Sequence, residues 1–238
     1  MIPLLTPIGR AFARCAFLFT FAVLGSFALV SQLSAAEPGK TQHLASPDAV
    51  PDGLNRSDWT SIRAAYDAQR HAAVPINNGY RVRNSGQQWQ TNFDGRGFTT
   101  QPDGGGWQWG LELRSYGFSG HERVVTGKPE IKAEGSRVTY TWDAMVREWF
   151  VNDRRGLEHG FTVEQRPAGS GVGTRLEFDL SVRGDLRPEI SADGAEISFV
   201  DSSGAAVVTY TELKVWDADG KALPARFQQL VPRHSLRR

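Results

Sequence analysis

Cysteine is almost missing from this chain. Cys15 is the single thiol in 238 residues, and it lies in an opening segment that the mature protein is expected to lose. Without it there is no disulfide, no thiolate metal site and no cysteine nucleophile. An excess of charge of one sign is missing too: 27 Lys and Arg stand against 26 Asp and Glu. That balance leaves no electrostatic footprint for nucleic acid or an anionic membrane. Long apolar runs are confined to the opening, and no repeat of solenoid length is present.

The opening itself carries an address. Arg10 and Arg14 give a basic start, and no acidic residue precedes Glu37. An apolar run from Ala16 to Val30 follows, interrupted by Gly25 and Ser26, and Ser34-Ala-Ala36 then supplies small residues at −3 and −1. This order is that of a secretory signal peptide, cleaved after Ala36. The run falls short of the roughly 20 residues that cross a bilayer core, which disfavours an uncleaved anchor. Cys15 precedes the run instead of following it, so a lipoprotein is not expected. The product is therefore expected to be secreted or held at the cell surface, with no membrane span after cleavage. About 200 residues remain, enough for a sizeable core.

Residues 37–56 are polar and bear Pro38, Pro47 and Pro51, a flexible lead-in. Asn55-Arg-Ser57 is a glycosylation sequon, given little weight beside bacterial-looking export features. Ser57 is a plausible N-cap, and Trp59, Ile62, Tyr66 and Ala73 recur at helical spacings, so one amphipathic helix is expected over 58–73, ended by Pro75. After Asn78 the period becomes two. Trp107, Trp109, Leu111 and Leu113 alternate with Gln108, Gly110 and Glu112; Val138, Tyr140 and Trp142 alternate with Thr139 and Thr141. Leu176, Phe178, Leu180 and Val182 alternate with Glu177, Asp179 and Ser181. Turns rich in Asp and Gly separate the runs, among them Asp94-Gly-Arg-Gly97, Asp153-Arg-Arg-Gly156, Asp201-Ser-Ser-Gly204 and Asp217-Ala-Asp-Gly220. The fold class is therefore all-β: an antiparallel β-sandwich or meander of about 10–14 strands over 57–227, preceded by one short helix. Residues 228–238 form an irregular basic tail.

No catalytic constellation stands out. Glu177 and Asp179 share a strand face, where a solvated outer face explains them better than a glycosidase pair. The five histidines, His43, His71, His121, His159 and His234, show no metal-binding spacing. Gly117-Phe-Ser-Gly120 lacks the last glycine of a nucleophile elbow and reads as a hairpin turn. Gly169-Ser-Gly-Val-Gly173 lacks the Lys-Ser/Thr of a phosphate loop. Asp217-Ala-Asp-Gly220 lacks the distal Glu of a calcium loop. Neither a catalytic residue nor a metal or cofactor site is assigned. Aromatic rings carry the one residue-level argument for binding. Most tryptophans alternate in phase with aliphatic residues and belong to a core. Trp89, Trp149 and Phe150 are least tied to an apolar phase, and they are the candidates for exposed rings on which a glycan or another cell-surface partner would stack.

The segment Arg83-Asn-Ser-Gly-Gln-Gln-Trp-Gln-Thr-Asn-Phe-Asp-Gly-Arg-Gly97 resembles an element of large exported bacterial repeat proteins. There an Asn-x-Gly-Gln stretch opens a β domain that precedes repeats of the β-propeller-repeat (SBBP) and FG-GAP kinds. The stretches 156–163, 180–188 and 207–227 are similar in style. The resemblance spans roughly Ser57 to Phe227 and implies no catalytic residues. It implies a structural or adhesive leading module of a larger surface protein. The repeats themselves do not follow Phe227, so a stand-alone or truncated module is expected. A carbohydrate-binding module is the alternative, and a hydrolase on a jelly-roll-like scaffold is disfavoured.

Overall fold

The structure is a computed structural model that describes residues 13–18, 49–169, 171 and 173–229. The expected leader, apart from 13–18, most of the lead-in and the tail from residue 230 lie outside the described residues. Strand β1 (Ala13–Leu18) therefore falls within the expected leader.

The helix α1 (Arg56–His71) begins two residues earlier than the periodicity predicts. Asn55, not Ser57, is its N-cap: the Asn55 side chain accepts from the Asp58 N–H at 2.8 Å. That bond satisfies one of the orphan donors of the first turn. The expected burial of an apolar helix face is not observed. No residue of α1 is buried, and Ile62 and Tyr66 are exposed. Pro75 lies in an edge strand, β2 (Val74–Ile76), where its missing N–H costs no ladder bond.

The chain then builds a meander from β3 (Gly79–Asn84), β4 (Trp89–Phe93), β5 (Phe98–Pro102) and β6 (Trp109–Phe118), with the short β7 (Arg123–Val124) folded back on β6. A second meander follows: β8 (Glu130–Glu134), β9 (Arg137–Thr141), β10 (Val146–Asp153) and β11 (Gly156–Val163). The strand β12 (Leu176–Gly184) returns to the first sheet beside β6. Next come β13 (Arg187–Ile190), β14 (Ile197–Val200), β15 (Ala206–Trp216) and the two-residue β16 (Ala222–Leu223). One sheet reads β12-β6-β5-β4-β3-β2 and the other β13-β14-β15-β1-β11-β10-β9-β8. Every pairing is antiparallel. The architecture is thus the expected all-β one. Of the 16 strands, β1 and the two- or three-residue pieces β2, β7 and β16 stand apart, and the other 12 fall within the expected 10–14.

The two sheets share one core. Phe93, Phe98, Trp109, Leu111 and Leu113 from the first meet Val138, Tyr140, Phe150, Phe161, Phe199 and Tyr210 from the second. Edge-to-face and tilted ring pairs hold it, such as Phe98–Trp109 at 5.2 Å and Phe93–Phe150 at 4.9 Å. In β6 the inward phase jumps from Leu113 to Tyr116, because a bulge leaves Arg114 without a register partner on β12. Gly110 permits the close approach of β5 and β6: a Cβ there would lie 1.8 Å from the Phe98 carbonyl oxygen.

Polar devices pin the sheets together. The Tyr140 hydroxyl donates to the Gly97 carbonyl (2.7 Å) and accepts from the Gly95 N–H (3.2 Å), tying the 94–97 turn of one sheet to the other. At the end of the sandwich near α1, Asn84 Nδ2 donates to Asn152 Oδ1 (3.0 Å) and to the Asp153 carbonyl (2.6 Å). Asn152 Nδ2 donates in turn to the carbonyls of His71 and Arg83, both at 3.1 Å. Both side chains are fully buried. This amide clasp joins α1, β3 and β10, and it gives the Asn84-Ser-Gly-Gln87 stretch a structural role, since Asn84 Oδ1 also accepts from the Gln87 N–H (3.1 Å).

Candidate functional site

The hairpin turns account for several motifs that chemistry alone left open. Asp217 Oδ1 accepts from the N–H groups of Asp219 and Lys221 at 3.0 and 2.9 Å. Its carboxylate is thereby engaged by its own turn. Asp201 does the same with Ser203 and Ala205. Gly117-Phe-Ser-Gly120 closes the β6–β7 hairpin, with the His121 N–H donating to the Phe118 carbonyl at 2.7 Å. Among the described residues, no group of three or more His, Cys, Asp or Glu side chains is placed to hold a metal ion. No helix among them is long and apolar enough to cross a membrane.

One constellation has the connectivity of a catalytic relay. Glu148 Oε1 lies 2.7 Å from His159 Nε2, and His159 Nδ1 lies 3.0 Å from the Tyr210 hydroxyl. Glu148 Oε2 accepts from Trp142 Nε1 at 2.8 Å. Glu148, His159 and Tyr210 are each 0% exposed. The imidazole stacks on Phe150 at 4.6 Å and touches Phe98 and Phe161. A hydroxyl sealed inside an aromatic core cannot meet a substrate, so the network satisfies buried polar groups instead.

The outer face of β8–β11 is different. Trp149 projects from β10 away from the core, between Thr139 of β9 and Gly160 of β11 in register. Its indole N–H donates to Thr162 Oγ1 at 3.2 Å, and the Arg137 guanidinium lies over the ring, 4.4 Å from its centre. That is close for a cation on an indole face and fixes both planes. Around this stack Lys132, Glu134, Thr139, Thr141, Arg147 and Thr162 line a shallow concavity of about 580 Å³. Lys132 is paired with Glu130 at 3.0 Å, and Arg147 Nε with Glu164 at 2.7 Å. The surface is rich in oriented hydroxyl, guanidinium and carboxylate groups, and no one charge dominates it.

Trp149 is therefore the one of the three expected rings that lies on an outer face, at 9% exposure under its arginine cover. The exposure expected of Trp89 and Phe150 is not observed. Trp89 is 2% and Phe150 1% exposed. Strand β10 sends Val146, Glu148, Phe150 and Asn152 inward, and the two polar members of that set hide the alternation in the sequence. On β4 the inward set is Trp89, Thr91 and Phe93, with Thr91 paired to Thr100 at 2.8 Å. The three rings form no common platform. Arg137, Thr139, Thr141 and Thr162 join Trp149 on this face without being among the residues expected from the sequence. The signal for two of them was present, since Thr139 and Thr141 occupy the outward phase of an alternating strand next to Trp149.

The opposite sheet carries a charged cluster of its own. Arg183 reaches Asp94 with both terminal nitrogens, at 3.0 and 2.7 Å, while Glu112 accepts from Arg96 and Arg114 at 2.9 and 2.8 Å. Burial pushes the Asp94 carboxyl up, but the Arg183 and Arg96 contacts outweigh it and hold it below the ordinary Asp range. At Asp143, burial is likewise outweighed by the Tyr116 hydroxyl, which donates at 2.5 Å, and by the N–H groups of Met145 and Val146, so this carboxyl too is lowered. Burial and the Asp143 charge together raise the Tyr116 phenol. These groups brace turns, and their strong hydrogen bonds are already spent on one another. In comparisons with known protein families, characterised proteins and solved structures, nothing matches this chain.

Proposed function

We propose that this protein is an exported, non-enzymatic β-sandwich module that binds a glycan on the outer face of β8–β11. The Arg137–Trp149 stack within a concave ring of threonine hydroxyls carries the reading. A saccharide needs an apolar floor together with many donors and acceptors fixed in direction. The indole edge and the methylene stem of Arg137 over it supply the first, and Thr139, Thr141, Thr162, Lys132 and Glu134 the second. Paired charges such as Arg147–Glu164 suit hydroxyl groups, which both donate and accept. The role is adhesive. The position of such a module at the head of a larger surface repeat protein is part of the proposal and rests on the resemblance of 57–227 alone.

Screening an immobilised glycan array and then titrating the selected oligosaccharide tests it. One glycan class is expected to saturate binding and change tryptophan emission. Arg137→Ala and Thr139→Val are expected to weaken it at least about tenfold, the loss of one or two good hydrogen bonds. Equal binding by both variants, or no glycan binding at all, refutes the assignment.

A further inference from the structure

Strand β8 borders the second sheet, and among the described residues no strand lies beyond it. Its hydrogen-bonding phase follows from its neighbours. The Asn152 N–H donates to the Ser136 carbonyl and the Trp142 N–H to the Val146 carbonyl. Residues 136, 138, 140 and 142 therefore face β10 with their main-chain groups, and Arg137, Thr139 and Thr141 face β8. Their register partners Glu134, Lys132 and Glu130 in turn face β9. Ile131 and Ala133, between them, point N–H and C=O out of the sheet.

The same stretch carries charges of alternating sign at every second residue: Lys128, Glu130, Lys132 and Glu134. The Lys132 and Glu130 side chains lie on the outer face, 67% and 60% exposed. A run of like charges would keep a second copy of such an edge away. Alternating charges do the reverse in one register. With Ile131 opposite Ile131 in an antiparallel pair, Glu130 falls opposite Lys132 and Lys128 opposite Glu134, each twice by symmetry. Centring the pair on Glu130 or Lys132 opposes like charges instead. Centring it on Ala133 keeps only Lys132 opposite Glu134, and sets Ile131 against Gly135, whose carbonyl already accepts from the Ala73 N–H at 2.7 Å.

We propose that β8 pairs with β8 of a second copy of this chain in the register centred on Ile131, making one continuous sheet across a two-fold axis. The two Ile131 residues exchange N–H to C=O bonds. Pro129 has no N–H to offer and keeps the ladder short, so the four ion pairs select the partner and the register. A two-fold axis normal to the sheet leaves both outer faces on one side. The two Trp149 stacks then lie five strand spacings apart, about 24 Å, and open the same way. Resting here on the glycan reading above, the dimer grips one polysaccharide at two points, and the first contact raises the effective concentration for the second.

Sedimentation velocity of the purified protein over a wide concentration range tests the pairing without any glycan. A monomer–dimer equilibrium is expected, with amide exchange at Ile131 and Ala133 slowing as the dimer forms. Lys132→Glu sets like charges opposite each other at two places and is expected to weaken the dimer at least about tenfold. Glu130→Lys is expected to do the same. The double variant Glu130→Lys/Lys132→Glu swaps the signs and is expected to restore the dimer. Mixed copies carrying Glu130→Cys and Lys132→Cys should form a disulfide with each other in preference to themselves. A protein that stays monomeric at every concentration overturns the proposal, whether Ile131 and Ala133 exchange freely or are shielded by another part of the chain. So does a dimer unmoved by the single charge changes, or one that the double variant fails to restore. A monomer that binds glycan sinks the pairing and leaves the glycan reading standing. A charge-sensitive dimer that binds no glycan upholds the pairing and removes its bivalent role.

Discussion

Replacing Asn152 with alanine is expected to destabilise the protein by about 3 kcal/mol. Asn152 makes three hydrogen bonds in a fully buried site: two donated to the carbonyls of His71 and Arg83, and one accepted from Asn84. A net contribution of about 1 kcal/mol per bond gives that total, and the two orphaned carbonyls push it upward. For a domain of this size the melting temperature should fall by about 6–12 °C. The effect is partly local, because the His71 carbonyl is at the end of α1, so cleavage by protease near residues 72–78 should accelerate. Asn152→Asp is the sharper probe. It keeps the shape but turns a donor into a carboxylate facing two carbonyls, so it should cost more than alanine at neutral pH. Acidification should recover part of that loss, since a protonated carboxyl can donate once. Urea denaturation of both variants, with Asn84→Ala and the double mutant to close the cycle, provides the measurement. A loss under about 0.5 kcal/mol for Asn152→Ala, or an Asn152→Asp protein as stable as the parent, would refute the clasp.

Tyr140→Phe removes the donor to Gly97 and the acceptor for Gly95; chemical denaturation should show a loss of about 1–3 kcal/mol. Gly110→Ala places a methyl 1.8 Å from the Phe98 oxygen, and denaturation should report a cost of about 1–3 kcal/mol from overpacking. Asp94 and Asp143 have lowered folded-state pKa values. Their contribution is complete above the ordinary Asp value of about 4 and is lost as pH falls through the lowered ones. Stability should therefore rise with pH across that acidic window, and Asp94→Asn should flatten the rise in a pH series of melting temperatures.

The strands were legible where the inward set is purely apolar, as in Trp109, Leu111 and Leu113 or Val138 and Tyr140. They were obscured where buried polar partners interrupt it. Glu148 and Asn152 make β10 look irregular, although each is satisfied by a partner on another strand: Glu148 by His159 across the β10–β11 hairpin, and Asn152 by Asn84, 68 residues away in sequence. No local pattern announces such a pairing. The turns were readable because an Asp side chain bonds amides two to four residues on, a purely local event. The helix was readable in period but not in exposure, since what covers a helix depends on tertiary placement. The binding face was half legible. Trp149 stood out, but its Arg137 cover comes from the neighbouring strand β9, and only the β9–β10 register brings the two together.

The return of β12 to the first sheet has a consequence for the order in which the chain folds. The hairpins β3–β6 and β8–β11 close short loops and can form quickly, each from contiguous chain. β12 must instead find β6 across the whole second meander, and its nine-residue pairing completes the edge of the first sheet. Among the ladders formed by residues 74–223 this one joins the segments farthest apart in sequence, and a chain emerging from its N-terminus completes it only after residue 184 has appeared. Substitutions in the β6–β12 ladder should lower the refolding rate more than equally destabilising ones in the β9–β10 hairpin.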